Sequence, residues 1–271
     1  MFPLHHIHTV CMLIHTVCMR GGIMSAVLEA IAEERRTVLE LCSQMPDSMW
    51  AKDSGCSGWS VQDLVSHMAC SFWLAVDPSA LPDPGDLPAE RAADIYVESR
   101  RSMTPQEVVA DYESVSARGL EVLAAIEGQD VDIPIGDVGT YPASVVPTTF
   151  VFEAFVHIRY DLCSPGGPLQ GAPPPVDQLR LAPTLDWIEA ALPQQNTSLL
   201  NELQTGVELR LDGLCARTLR IGDHDDVASH ITSDSQAFVR WVTQRGTWES
   251  LGVQAEGDPS TLNVIRRLRV F

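Results

Sequence analysis

A glutamate and a histidine stand four residues apart in an otherwise apolar stretch, FVFEAFVHI at residues 150–158. In a helix, Glu153 and His157 lie on the same face one turn apart, and Asp161 continues that stripe. A helix that is apolar on nearly all sides is buried, and a buried carboxylate is costly unless a partner compensates its charge. The pair could form a hydrogen bond inside a helical core or could bind a divalent metal. The spacing alone leaves both interpretations open.

A third candidate ligand, His67, lies at the edge of an apolar stripe on an earlier helix. A histidine in such a position is often only a core or rim residue. However, two histidines and a carboxylate from facing helices make a three-ligand site with a free position, which is the pattern of catalytic zinc sites. We therefore predict a divalent metal, zinc first, bound by His67, Glu153 and His157, with Asp161 orienting one of these ligands. Such sites also accept other first-row ions, so the metal's identity stays open.

Four long helices are predicted to position these residues. Apolar residues recur at helical spacing over residues 25–45, Ser60 is a candidate N-cap for a helix over 61–76, and Thr104-Pro105 opens a helix to about residue 126. The fourth helix carries Glu153 and His157 and ends near residue 163. Four long helices with substantial connections predict a four-helix bundle over residues 24–165.

The segment 164–175 contains five prolines and three glycines, which predicts a domain boundary. Beyond it, alternating apolar residues predict a strand over 207–211, a hairpin partner over 215–221, a third strand over 227–232 and a short strand over 251–255. Ser233 or Asp234 is expected to cap one helix, and Asp258-Pro259 to cap a final one. This mixture predicts a small α+β domain over residues 176–271.

Residues 1–23 differ from the rest of the chain. They contain the tandem repeat HTVCMLI–HTVCMRG and four of the eight histidines, and no periodicity joins them to the bundle. We expect a disordered or misannotated leader, with translation starting at Met24. A metal-binding tail is the alternative interpretation.

The composition restricts the partners of this 271-residue chain. A net charge of −18 argues against nucleic acid, because such a surface repels phosphate backbones. No apolar run approaches the roughly 18 residues that span a bilayer. The seven cysteines are odd in number and form no C-x-x-C pair, which indicates a reducing compartment, so we expect a cytoplasmic protein. The sequence predicts no oligomeric state.

The stretch CSGWSVQDLVSHMA at residues 56–69, followed by EAFVHIRYDL from Glu153, resembles the N-terminal domain of the mycothiol-dependent maleylpyruvate isomerase family, which belongs to the DinB-like bundle superfamily. The family pattern is a Trp-Ser/Thr-Val helix start leading to a ligand histidine, then Glu-x-x-x-His with a following Asp. The matching positions here are Trp59, Ser60, Val61, His67, Glu153, His157 and Asp161. The C-terminal half is similar only in layout, to the family's small α+β domain related to sterol-carrier folds.

The resemblance implies a metal site that binds the sulfur of mycothiol and favours its thiolate. The thiolate would add to a small electrophilic substrate. An isomerase then rotates and eliminates the adduct to convert a cis alkene to a trans alkene, whereas an S-transferase releases the adduct. The family's C-terminal domain supplies an arginine to the site. The nearest match is Arg245, although Gln244 stands where the family has glycine, and Arg240 is the alternative.

Two other functions stay open at this stage. The chain could be a non-catalytic metal-binding or regulatory protein of the same fold. It could also be a metal-free carrier in which the α+β domain binds a small apolar ligand. Metal content and mycothiol-dependent turnover distinguish these functions from an enzyme.

Overall fold

The computed structural model describes residues 24–223 and 225–271, so the predicted leader lies outside the described residues. The first half is mainly helical. Its elements are α1 (Ala26–Gln44), α2 (Val61–Val76), α3 (Ala89–Glu98), α4 (Pro105–Glu127), a hairpin of β1 (Asp132–Ile135) and β2 (Gly139–Pro142), α5 (Val146–Val156) with a π-helical turn (His157–Leu162), and α6 (Gln178–Gln195).

Side-chain caps fix where the helices begin, as the sequence predicted. Ser60 Oγ accepts a hydrogen bond from the Asp63 backbone N–H, and the Asp63 carboxylate accepts one from the Ser60 N–H. Thr104 and Glu107 form the same reciprocal capping box at the start of α4. These caps satisfy N–H groups that have no partner within the helix.

Three elements of the helical half were not predicted: α3, the β1–β2 hairpin and α6. The helix α6 is hidden in the sequence because Pro183 and Pro193 lie inside it, and proline normally interrupts a helix interior. Its packing against α1 and α5 offsets the lost backbone hydrogen bonds. The bundle is therefore larger than four helices in this part of the chain.

The second half contains a four-stranded sheet in the order β4-β3-β5-β6. Strands β3 and β4 are antiparallel, β3 and β5 are parallel, and β5 and β6 are antiparallel. After α6 the elements are α7 (Thr197–Leu200), β3 (Gly206–Asp212), β4 (Arg217–Ile221), β5 (Val227–Asp234), α8 (Ser235–Val242), α9 (Trp248–Leu251), β6 (Gln254–Glu256) and α10 (Pro259–Arg266).

The predicted strand over residues 251–255 is partly wrong. Thr247 caps the start of the short helix α9, which ends at Leu251. Its C-cap, Gly252, adopts the left-handed conformation with φ +69°, and the strand β6 begins only at Gln254. By contrast, the predicted caps Asp234 and Asp258 both accept backbone hydrogen bonds at the starts of α8 and α10.

Buried apolar side chains of the helices and the sheet form one continuous core, and a small separate cluster lies beneath α3. The helix α6 contacts α1 and α5 on one side and α8 on the other. The division of the chain at the Pro-rich segment therefore remains a proposal. None of the described helices is long and apolar enough to cross a membrane.

Candidate metal centre

Three side chains from two helices meet at one point. His67 comes from α2, Glu153 from α5, and His157 from the π-helical turn that continues α5. Glu153 Oε2 lies 3.2 Å from His67 Nε2 and 3.0 Å from His157 Nε2. The three candidate ligand atoms all lie within 4.8 Å of one another. The structure thus brings together the residues predicted from the sequence.

The geometry of this group fits a divalent metal. In a tetrahedral zinc site with ligand distances of about 2.0–2.1 Å, neighbouring ligand atoms are separated by about 3.3 Å. The two separations at Glu153 are close to that value. The side chains of His67 and Glu153 remain 15% and 25% exposed, so the group is open to a further ligand. Two imidazoles, one carboxylate and an open side are the donor set of a catalytic site rather than a structural one.

The second ring nitrogen of His157, Nδ1, forms a hydrogen bond with Asp161. His157 Nδ1 lies 2.7 Å from Asp161 Oδ2, and the carboxylate is almost completely buried. This contact assigns the Nδ1 proton to the side facing Asp161 and leaves Nε2 as the candidate ligand atom. The π-helical turn places both side chains in the site, and such turns are frequent at functional sites.

Arg245, which lies in the C-terminal half of the chain, donates two hydrogen bonds to the Asp161 carboxylate. Its Nε donates to Asp161 Oδ1 at 2.8 Å, and its Nη2 donates to Asp161 Oδ2 at 2.6 Å. We expected Arg245 to contact the substrate, but the structure places its guanidinium on this carboxylate. Gln244 adopts φ +62°, a left-handed conformation that favours glycine.

The surroundings of Glu153, His157 and Asp161 favour the ionised form of each side chain. Burial acts to raise the pKa of Glu153, but hydrogen bonds with His157 and His67 hold that pKa well below its usual range. Burial acts to lower the pKa of His157, yet Asp161, Cys56 and Glu153 hold it well above its usual value. Burial also acts to raise the pKa of Asp161, but His157 and Arg245 hold it well below its usual range. A metal would replace the proton at Nε2, because a histidine ligand must be deprotonated there.

Cys56 lies next to this centre, although no role was predicted for it from the sequence. Its Sγ lies 3.3 Å from Asp161 Oδ2 and 3.8 Å from His157 Nδ1, so these residues form a second group with metal-ligand atoms. Arg245, however, already donates to both oxygens of Asp161, and its Nη2 is 3.9 Å from Cys56 Sγ. A cation there would have to displace the guanidinium, so the first group is the better metal site.

A glycine permits the loop before α2 to approach the π-helical turn. The Gly55 N–H donates to the Asp161 carbonyl at 2.8 Å, and a Cβ at Gly55 would lie only 2.7 Å from Asp161 Cα. On the same loop, the Trp59 ring lies 4.8 Å from the His67 ring, centroid to centroid. The Gly/Ser-rich loop in the sequence was the available signal, but it does not reveal which residues the loop contacts.

Two spaces border this centre. A narrow cleft lies among the helices, and both Glu153 and Glu34 line it. A larger groove of about 440 Å³ lies between the π-helical turn and α8, and we call it the arginine groove. Its polar lining residues are Arg159, Tyr160, Asp161, Ser164, Gln236, Arg240, Gln244 and Arg245. Asp161 and Arg245 are among the residues that line the groove, and Asp161 also forms the hydrogen bond with His157.

Comparison with known proteins agrees with the motifs. Residues 31–163 match the family model described as the mycothiol maleylpyruvate isomerase N-terminal domain. The crystal structure of the mycothiol-dependent maleylpyruvate isomerase superposes with a TM-score of 0.56 at 18% identity, covering 87% of this chain and 95% of that chain. The crystal structure of a histidine-to-alanine mutant gives a TM-score of 0.56 at 17% identity with the same coverage of both chains.

At this level of identity, the likeness to the solved structures shows the fold alone. Among curated proteins, none matches the sequence. The resemblance stated from the motifs around His67 and Glu153 is confirmed. The narrower descriptions, a DinB-like bundle and a sterol-carrier-like domain, remain predictions, since the comparisons support only a mixed helix-and-sheet fold of the same kind.

Proposed function

We propose that the protein is a metal-dependent enzyme with mycothiol as its thiol cosubstrate. The proposal starts from the membership of residues 31–163 in the mycothiol maleylpyruvate isomerase family. It would act as an isomerase or an S-transferase on a small electrophilic substrate. The observation that carries this proposal is the convergence of His67, Glu153 and His157 from two helices on one partly open point. The cytoplasm is the proposed location.

Each residue of the centre has a definable task in this proposal. His67 and His157 would bind the metal through Nε2, and Glu153 through a carboxylate oxygen. A divalent metal bound there would act as a Lewis acid that stabilises a thiolate at neutral pH. Asp161 fixes the tautomer and orientation of His157, and Arg245 fixes Asp161. Zinc is our proposed metal, because two imidazoles and one carboxylate suit it.

The arginine groove is the space in which we place the body of the thiol. Ser164, Gln236 and Gln244 line it and offer hydrogen bonds to a polyhydroxylated molecule. The thiol sulfur would form a C–S bond with an electrophilic carbon of the substrate. For an isomerase, rotation about the former double bond precedes cleavage of the C–S bond, and for a transferase the C–S bond persists and the adduct takes up a proton.

The test combines elemental analysis with turnover assays. The purified protein should contain about one equivalent of a divalent metal, and mycothiol should support turnover of at least one member of a panel of unsaturated electrophiles that includes maleylpyruvate. Omission of the thiol is the control for background reaction. Metal without turnover would favour the non-catalytic binding protein, and absence of both would favour the small-ligand carrier.

A further inference from the structure

The two histidines of the metal centre are held in different ways. His157 Nδ1 forms a hydrogen bond with Asp161 at 2.7 Å, which is the usual way in which a metal-binding histidine is oriented. His67 has no such partner, because within residues 24–223 and 225–271 no group forms a hydrogen bond with its Nδ1. Among these residues, the ring makes one polar contact, from Nε2 to Glu153 at 3.2 Å. A ring held through one atom can still rotate, so a further contact is needed to set its orientation.

An indole ring supplies this contact. The Trp59 and His67 rings lie 4.8 Å apart, centroid to centroid, with their planes inclined at 46°. The His157 ring meets the His67 ring edge-on at 5.1 Å. Both separations fall in the range of about 4.5–7 Å that is favourable for aromatic pairs. Because His157 is itself a proposed ligand, Trp59 is the aromatic side chain that holds His67 from outside the centre.

Trp59 is itself fixed by two different segments. Its Nε1 donates to Asp94 Oδ1, on α3, at 3.2 Å. Its carbonyl accepts hydrogen bonds from the Ser54 N–H at 2.9 Å and from the Ser54 hydroxyl at 2.8 Å. The helix α3, which packs on a small apolar cluster separate from the main core, is thus connected to His67 through the Trp59 side chain.

We propose that Trp59 is a positioning residue that holds the His67 ring in the orientation needed to bind a metal, and that Asp94 holds the indole. Trp59 would act through His67, without touching the metal or the thiol. A flat, rigid indole restricts rotation of the imidazole by packing and leaves both ring nitrogens free. The use of this orientation for metal binding rests on the proposed function, whereas the orientation itself can be measured without metal.

The first measurement uses the metal-free, full-length protein with isotope-labelled histidine. A nuclear Overhauser contact between the ring protons of His67 and His157 reports that the two rings face each other. We expect Trp59→Ala to remove this contact, because the His67 ring would then rotate. Trp59→Phe should keep most of it, since a phenyl ring still offers a flat face. Asp94→Ala should weaken it, because the indole loses its hydrogen bond.

The second measurement uses cobalt(II), whose visible absorption bands report the geometry of its ligands. Trp59→Ala should weaken cobalt binding by about tenfold, as loss of a group that orients a ligand does, and should alter the bands. Trp59→Phe should restore most of the affinity. A tryptophan with a purely structural role would affect the stability of the protein and leave the bands of the bound cobalt unchanged.

Trp73→Ala is the matched control. Trp73 lies on α2, as His67 does, and its Nε1 donates to Asp111 Oδ1 at 2.9 Å. Its ring packs beside Arg118 rather than beside His67. The control therefore loses an indole and an indole–carboxylate hydrogen bond without losing the contact with the ligand, and the Overhauser contact and the cobalt bands should both persist.

The role of Trp59 is overturned if Trp59→Ala retains the Overhauser contact and the cobalt bands. Equal losses in Trp73→Ala would overturn it as well, because they would indicate a general loosening of α2. If Trp59→Ala fails to fold, Asp94→Ala decides, since the Asp94 side chain is 42% exposed, and an unchanged Overhauser contact there would refute the proposal. If the unmodified protein binds no cobalt, the proposed function fails, and the metal-free measurement still decides the role of Trp59.

Discussion

Arg245 donates two hydrogen bonds to Asp161, although the two residues are 84 positions apart in the chain. The same carboxylate accepts from His157 Nδ1 at 2.7 Å. The C-terminal half of the chain therefore reaches a proposed metal ligand through a single buried side chain. This connection gives the centre a support that the helices alone do not supply.

The first prediction concerns the metal ligands. His67→Ala and His157→Ala should each remove most of the metal, because a site left with two protein ligands binds weakly. Glu153→Gln should weaken binding less, since the amide oxygen can still coordinate but carries no charge. Elemental analysis of the purified variants measures this. His230→Ala is the control, because that side chain is 59% exposed and lies beside Glu208. Full metal content in His67→Ala would refute the site.

The second prediction concerns Arg245. Arg245→Ala should weaken metal binding by about 10- to 100-fold, as loss of a group that orients a ligand residue typically does. The free energy of unfolding should fall by about 2 kcal/mol, because a buried carboxylate loses its charged donor. Chelator competition and urea unfolding give the two values. If metal affinity and stability were unchanged while turnover fell, Arg245 would contact the substrate, as the sequence suggested.

The third prediction is a dependence of stability on pH that originates at Asp161. The pKa of Asp161 in the folded protein lies well below its usual range because His157 and Arg245 overcome the effect of burial. The unfolded value is about 3.9, so the charged carboxylate stabilises the fold fully at neutral pH. That stabilisation declines below the unfolded value and is lost as the pH falls through the folded value.

Asp161→Asn should accordingly lower the free energy of unfolding of the metal-free protein at neutral pH. The difference from the unmodified protein should be smaller once the pH has fallen to about 3. Urea unfolding at a series of pH values measures the difference. A deficit that stayed constant over this range would mean that Asp161 stabilises the fold through its shape rather than its charge.

The fourth prediction concerns an ion pair behind the metal centre. Glu34 and Arg159 approach to 2.9 Å, and each side chain is only 1% exposed. Burial raises the pKa of Glu34 in spite of Arg159, so the test removes the whole side chain rather than only its charge. Removal of one partner of a buried pair typically costs about 3–5 kcal/mol, so Glu34→Ala should lower the free energy of unfolding by roughly that amount. The neighbouring Glu33→Ala is the matched control, because Glu33 is 35% exposed and should contribute below about 1 kcal/mol. Similar losses in both variants would contradict this assignment.

The elements near the centre were predictable where local rules apply. The capping box of Ser60 and Asp63 follows from residues three positions apart, and the common face of Glu153 and His157 follows from residues four apart. The alternation of apolar residues likewise predicted the strand β3. In each case the interacting groups belong to one segment, so the period of the backbone alone sets their relative positions.

Contacts between distant segments were decided only by the tertiary structure. The pairing of Arg245 with Asp161, the approach of Cys56 to His157, and the burial of Glu34 against Arg159 join residues on different elements. The sequence by itself determined which side chains could bind a metal and on which helices they lie. Which arginine pairs with which carboxylate depends on how the helices and the sheet pack, because many sequence-distant contacts are settled together in one core.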